Sequence, residues 1–235
     1  MVNLQSKAIE AVDPSETRRT ARSAGLAYLV LGISGMLGFL LVRSRLLEPG
    51  DAAKTLSNLV DNEGLARFGI AANLTVVVTQ ALAALYFFKL FRRVDSFSAG
   101  ALAAFGFMNS AAILVGTAFS ATALHVALAQ PAGADAAANA LLLYDLEGAA
   151  WGVGALFFGL WLIPMGSLAL RSGFMPRPLG WILVAGGVGY VLSAYVAFIL
   201  PDVSMLADGL TLPATVGEFW MIGYLLTKGV QTADA

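Results

Sequence analysis

Ser23-Ala-Gly25-Leu-Ala-Tyr28-Leu-Val-Leu-Gly32-Ile-Ser34-Gly35-Met-Leu-Gly38-Phe-Leu-Leu-Val42 runs from Arg22 to Arg43 without a single charge. Roughly 20 residues of this kind are what a helix needs to cross the hydrocarbon of a bilayer. Comparable runs recur along the chain. They lie between Arg67 and Lys89, from Ala99 to about Leu124, between Glu147 and Arg171, and between Arg177 and Asp202. A last one, between Asp208 and Lys228, contains the lone acid Glu218. Their Leu, Ala, Val and Phe content shows no strict apolar–polar alternation, so they read as helices and not as barrel strands. The expected fold is all-α: a polytopic membrane protein with six transmembrane helices forming one domain over residues 23–230, between tails 1–22 and 231–235.

Composition points the same way. Of 235 residues, 58% are hydrophobic and 12% charged, and the mean hydropathy is +0.77. A water-soluble domain of this size needs about twice that charge, so a soluble enzyme is excluded. A net charge of -1 supplies no basic field for nucleic acid. With no cysteine and one histidine, His125, the chain has no thiolate or polyhistidine metal site. No metal, cofactor or nucleic-acid partner is therefore expected, and no catalytic motif with nucleophile spacing occurs.

Loop charge sets the expected orientation. Lys7, Arg18, Arg19, Arg22, Lys89, Arg92, Arg93, Arg171, Arg177 and Lys228 share the side of the N-terminus, leaving Arg43, Arg45, Lys54 and Arg67 opposite. Ten of the 14 cations on one side place both termini in the cytoplasm of a multi-pass plasma-membrane protein. The polar first 22 residues lack a signal-peptide core, so the first span is expected to stay as an anchor.

The loop between spans one and two carries structure of its own. Asp51 is placed to cap a short amphipathic helix on the outer surface, with Leu56, Leu59 and Val60 on its apolar face and Gly64 at its end. Asp135 caps the entry to span four, where Pro164 and a bend near Gly148 or Gly152 are expected to deform a long helix. Gly32, Gly35, Gly38, Gly148, Gly152, Gly186, Gly187 and Gly189 permit close helix approach. Trp151, Trp181 and Tyr195 are expected at the interfaces.

Polar residues inside a bilayer must be matched within the bundle. Asn73 and Gln80 are seven apart, on one face of span two; Asn109, Ser110, Thr117 and Ser120 lie in span three. They read either as interhelical hydrogen bonds of about 0.6–2 kcal/mol each or as the lining of a ligand site. Arg43, Arg67, Glu147 and Glu218 all come to the outer edge by loop order. Arg67 has Glu63 four residues away, and Arg43 is expected to pair with Glu218, with Arg67 and Glu147 close by.

Several segments carry a family pattern: Ala24-Gly25-Leu26-Ala-Tyr28-Leu, Val42-Arg43-Ser44-Arg45-Leu46-Leu-Glu-Pro49-Gly50-Asp51-Ala52, Phe157-Phe-Gly159-Leu160-Trp161-Leu-Ile-Pro164-Met-Gly166, Arg171-Ser172-Gly173-Phe174-Met-Pro176-Arg177-Pro-Leu179-Gly180, and Gly217-Glu218 with Lys228-Gly229-Val230. Together they resemble the bacterial membrane family catalogued as domain of unknown function 4386, from about Arg18 to Val230. The resemblance implies a six-helix integral membrane protein of bacterial plasma membranes and brings no activity. It marks Arg43, Arg45, Gly159, Trp161, Pro164, Arg171 and Glu218 as pattern positions. Where the family pattern has a histidine before span four, this chain has Asp145-Leu146-Glu147.

The leading expectation is a non-enzymatic bundle that holds a membrane lipid or small amphiphile in an outward-facing, charge-rimmed cavity. Its candidate binding residues are Arg43, Arg67, Asn73, Gln80, Asn109, Glu147 and Glu218. A proton- or cation-linked transporter working through Glu218 is the alternative. An intramembrane enzyme using Glu147, Glu218 or His125 is the third reading.

Overall fold

A computed structural model describes residues 14–130, 135–200, 202 and 204–230 of the chain. Most of both expected tails, 1–13 and 231–235, lies outside the described residues. Every long regular element among the described residues is helical: α1 Pro14–Gly35, α2 Ser44–Leu46, α3 Ala52–Asp61, α4 Glu63–Phe91, α5 Ser96–Ala129, α6 Ala136–Ser172, α7 Arg177–Ile199 and α8 Ser204–Thr227. Between α1 and α2 the chain winds without a break through a π-helical segment, Met36–Arg43. The first helix thus begins at Pro14, about two turns before the boundary expected at residue 23.

Among the described residues, five helices are long and apolar enough to cross a membrane: Ser15–Leu46, Glu63–Phe91, Ser96–Ala129, Ala136–Ser172 and Arg177–Ile199. This makes the chain a multi-pass membrane protein. The 24-residue α8 has the length but not the apolarity, because Asp208, Pro213, Glu218 and three threonines dilute its leucines. Chain neighbours pack in order from α4 to α8, and α1 closes the bundle by lying against both α4 and α8.

The two ends of the bundle differ. At one end the start of α1 meets the α4–α5 corner, the α6–α7 corner and the end of α8. Lys89 bridges to Glu16 at 2.8 Å and Arg171 to Asp95 at 2.8 Å, while the Tyr224 hydroxyl donates to the Phe174 carbonyl. Asp95 also caps α5 by accepting from the Ser98 amide at 2.7 Å. At the opposite end α3 folds over α5 and α6. Asp51 caps it through the Lys54 amide at 2.8 Å, as expected, and Leu59 is fully buried beside Val42, Leu46 and Tyr144. Val60, expected on the same face, is exposed. Gly64 does not end α3: the helix stops at Asn62, and Gly64 lies in the first turn of α4.

Asp135 caps α6 by accepting from the Ala138 amide at 2.9 Å. That helix runs uninterrupted for 37 residues through Gly148, Gly152 and Pro164. Its seam with α7 is made by glycines: Gly187, expected to permit close approach, and Gly159, Gly166 and Gly180, which were not singled out for it. A Cβ on Gly159 would stand 2.6 Å from the Gly187 carbonyl oxygen, and one on Gly166 the same distance from that of Gly180. Gly186 and Gly189 give their other side to Ala214 and Leu210 of α8. Gly32 and Gly64 have open space instead. Trp181 and Tyr195 face outward, but Trp151 does not: its ring lies 5.0 Å from Phe39, inside the bundle.

Two predictions follow from this frame. Gly187→Val should destabilise the detergent-solubilised protein by about 1–3 kcal/mol through overpacking, whereas Gly32→Val should stay within about 0.5 kcal/mol; thermal melts compare them. The second concerns Asp95, whose carboxyl is held below the ordinary pKa of 3.8 by the Ser98 amide and then by Arg171. A lowered folded-state pKa contributes stability above the unfolded value, which is lost as pH falls through the folded one. Melting temperature should therefore drop on acidification below about pH 4, and part of that drop should vanish in Asp95→Asn.

Candidate functional site

Two buried polar groups organise the interior. The first stands under α3, where the π-helical segment ends on Arg43. A π-helix is rare in proteins and concentrates at functional sites. Its wide turn delivers Arg43 to α6, where the Nη1 group donates to the Glu147 carboxylate and, at 3.1 Å, to the Tyr144 carbonyl. Glu147 is 3% exposed and the Arg43 side chain 16%, so the pair is shielded from both water and lipid. The Phe39 and Tyr144 rings flank the guanidinium at 5.7 and 5.8 Å, within cation–π range. Gly148 makes the contact possible, since a Cβ there would stand 2.6 Å from Nη2.

Beside this pair is a cavity of about 10 Å³, bounded by Gly38, Gly69, Asn73, Ser120, Tyr144 and Glu147 among others. That is room for about one water. A space of that size is too small for an amphiphile. Asn73 is 4% exposed, and its Oδ1 has no protein partner. The same holds for both amide atoms of Asn109, which is fully buried, and for Nε1 of Trp151. Gln80 is 1% exposed on the same side of α4 as Asn73.

The second group lies toward the other end. Tyr28 of α1 donates to Oε1 of Glu218 at 2.5 Å. The phenol ring stands edge-on to Phe87 and Trp161, with centroids 5.8 and 5.9 Å away. Glu218 itself is half-buried.

The expected pairing of Arg43 with Glu218 is therefore corrected: Arg43 pairs with Glu147, and Glu218 with Tyr28. The cause is where α8 begins. Loop order had put Glu218 at the outer edge; the helix in fact starts at Ser204, ahead of Asp208, and carries Pro213 inside. Fourteen residues at 1.5 Å each place Glu218 about 21 Å down the helix. Arg67 does not join either group. It stays exposed and bridges to Glu63 at 2.6 Å, one helical turn away. Arg45, two residues from Arg43 and so on a nearly opposite helix face, is exposed.

His125 is exposed on α5, and Asp145 is exposed on α6. Trp161, which packs on Tyr28, lies fourteen residues beyond Glu147 on α6, a separation of about 21 Å. Glu147 and Glu218 thus cannot act on one substrate as an acid–base pair. Among the described residues no cluster of three His, Asp or Glu side chains suits a metal ion. Tyr28, Tyr144 and Trp161 were not among the candidate site residues. Tyr28 gave one signal, since it and Ser34 are the only hydrogen-bonding side chains within the first uncharged run after Ser23.

Removing one member of a buried ion pair costs about 3–5 kcal/mol, because the other is left unmatched. Arg43→Gln and Glu147→Gln should each destabilise strongly, and the double variant should recover much of the loss. Arg43→Gln and Glu218→Gln should be additive; a chemical-denaturation cycle in detergent reads both.

No curated protein and no solved structure matches the chain. A family match does exist, and it spans residues 23–229, covering every helix from the first span to the last. The chain belongs to the family described as domain of unknown function DUF4386.

Proposed function

We propose that this chain is a six-span bacterial plasma-membrane protein with both termini cytoplasmic, and a non-enzymatic bundle that binds an anionic lipid. Counting α8 as the sixth span rests on its 24-residue length and on its packing against α7 and α1. The positive-inside bias then puts the end bearing Lys89, Arg92 and Arg93 in the cytoplasm, and α3 outside.

One observation carries the lipid reading. A cavity of about 330 Å³ opens at the terminal end, between the start of α1, the α4–α5 corner, Phe174 and Val230. That volume lies within the range of small-molecule sites. Lys89, Arg92 and Arg93 rim it, while Leu90, Val94, Phe174 and Val230 supply an apolar floor. Lys89 is held by Glu16, and both arginines are exposed. Basic pockets between helices at the cytoplasmic boundary suit phosphate headgroups, each cation adding about 1 kcal/mol near an anionic surface. A second groove of about 330 Å³, along Val153, Leu156, Ala194, Tyr195, Phe198 and Ile199, has no charged group. It suits any acyl chain and selects none.

Native mass spectrometry of protein extracted from membranes containing phosphatidylglycerol and phosphatidylethanolamine tests the proposal. The expected result is a stoichiometric phosphatidylglycerol adduct that Arg92→Gln/Arg93→Gln weakens several-fold. Equal retention of the two lipids, or an unchanged adduct in the double variant, overturns it.

A further inference from the structure

Polar groups recur along the interior of the bundle between Glu147 and Glu218, and three of them, Asn73, Asn109 and Trp151, carry atoms with no protein partner. At the α3 end are Arg43, Glu147 and Ser120, around the small cavity. Asn73 also lines that cavity, and its Oδ1 sits 2.5 Å from where a Gly38 Cβ would be. At about the same depth is Trp151, one turn below Glu147 on α6, with Nε1 buried and unpartnered. Gln80 lies seven residues, or about 10 Å, further along α4 and is 1% exposed. On α5, Asn109 lies 4.0 Å from the Cβ position of Gly154, with neither amide atom partnered. One turn from Asn109, Gly106 packs against the ring of Trp161, and Trp161 packs against Tyr28. Tyr28 then donates to Glu218, the point at which this series leaves the fully buried core.

Leaving a buried polar atom unpaired costs about 1–3 kcal/mol, and in a membrane interior no bulk solvent relieves it. Four such atoms among the described residues, on Asn73, Asn109 and Trp151, call for hydrogen-bonding partners that the protein itself does not supply. The adjoining cavity has the size of a water molecule and polar walls, which is the condition for holding one. Apolar packing alone would have placed Leu or Val at 73 and 109.

We propose that these residues form a hydrated track that conducts protons between Glu147 and Glu218. Water beside the Arg43–Glu147 pair receives the proton at the α3 end, and waters held by Asn73, Gln80 and Asn109 relay it. Tyr28 passes its hydroxyl proton to the Glu218 carboxylate and takes a replacement from the adjoining water, so only O–H bonds form and break. Arg43 and Tyr144 face Glu147, and Tyr28 and Tyr190 face Glu218. The fixed charge of Arg43 beside Glu147 acts as an electrostatic gate at that entrance. The track is independent of the lipid site at the terminal end.

The test uses the full chain in liposomes loaded with the pH-sensitive dye pyranine, under a potassium gradient with valinomycin. Wild-type vesicles should change internal pH several-fold faster than protein-free vesicles. Asn109→Leu and Glu218→Gln should return to the protein-free rate, Asn109→Ser should keep most of the flux, and Glu63→Gln should match wild type. Where Asn109→Leu fails to elute as a monodisperse species, Asn73→Ala replaces it, with slowed flux expected. A wild-type rate equal to that of empty vesicles overturns the proposal. So does a wild-type rate in Glu218→Gln or in the well-folded Asn109 or Asn73 variant.

Discussion

Arg43 and Glu147 can share the membrane interior only as a pair, and that requirement shapes much of the structure around them. An isolated charge at this depth would cost several kcal/mol, so the first helix has to bring its guanidinium to α6 and not merely to the nearest headgroup. The π-helical winding of Met36–Arg43 turns Arg43 inward while Arg45 stays exposed. Gly148 clears the space for Nη2, and Gly38 and Gly69 let the same segment lie close on α4 against Asn73 and Val42. The capped helix α3 then covers the pair with Leu59, closing a second small core of Val42, Leu46 and Tyr144. Helix α3 thus insulates a buried charge pair as well as connecting two spans.

The rest of the bundle is held by contacts of a different kind. Lipid is as apolar as leucine, so helices gain little by hiding leucine from it, and close backbone packing takes over. On α7, Gly180 and Gly187 meet α6, whereas Gly186 and Gly189 meet α8. One helix with glycines on two faces thereby joins its two neighbours. Toward the terminal end the packing is aromatic, with Tyr28, Phe87, Phe91 and Trp161 in one cluster. The hydroxyl of Tyr28 is the polar exception within it, and Glu218 answers it across the α1–α8 contact.

Arg171 shows how a family-pattern residue can serve architecture. Its bridge to Asp95 ties the end of α6 to the α4–α5 corner, and Asp95 at the same time caps α5. Trp161, another pattern position, is 2% exposed and forms part of the wall around Tyr28. Glu218 and Arg43 mark the two buried polar groups. Arg43, Gly159, Trp161, Arg171 and Glu218 thus fall on the joints of the bundle or on its polar interior, while Arg45 is exposed.

By itself the sequence determined an all-helical membrane chain, the capping of α3 and α6 by Asp51 and Asp135, the local Glu63–Arg67 bridge and the burial of Asn73, Gln80 and Asn109. Each of these depends on composition or on residues within a few positions of one another, where helix geometry fixes who meets whom. Only the tertiary structure decided which acid Arg43 meets. That choice turns on the depth of each side chain, and for Glu218 depth turns on a helix that starts at Ser204, ahead of the uncharged run that follows Asp208. It also decided that Gly159 and Gly166 make the α6–α7 seam, and that Trp151 turns inward with its Nε1 unpartnered. Rotation about a helix axis is set by packing against neighbours far away in the chain. A run of apolar residues, alike on every side, carries no mark of it.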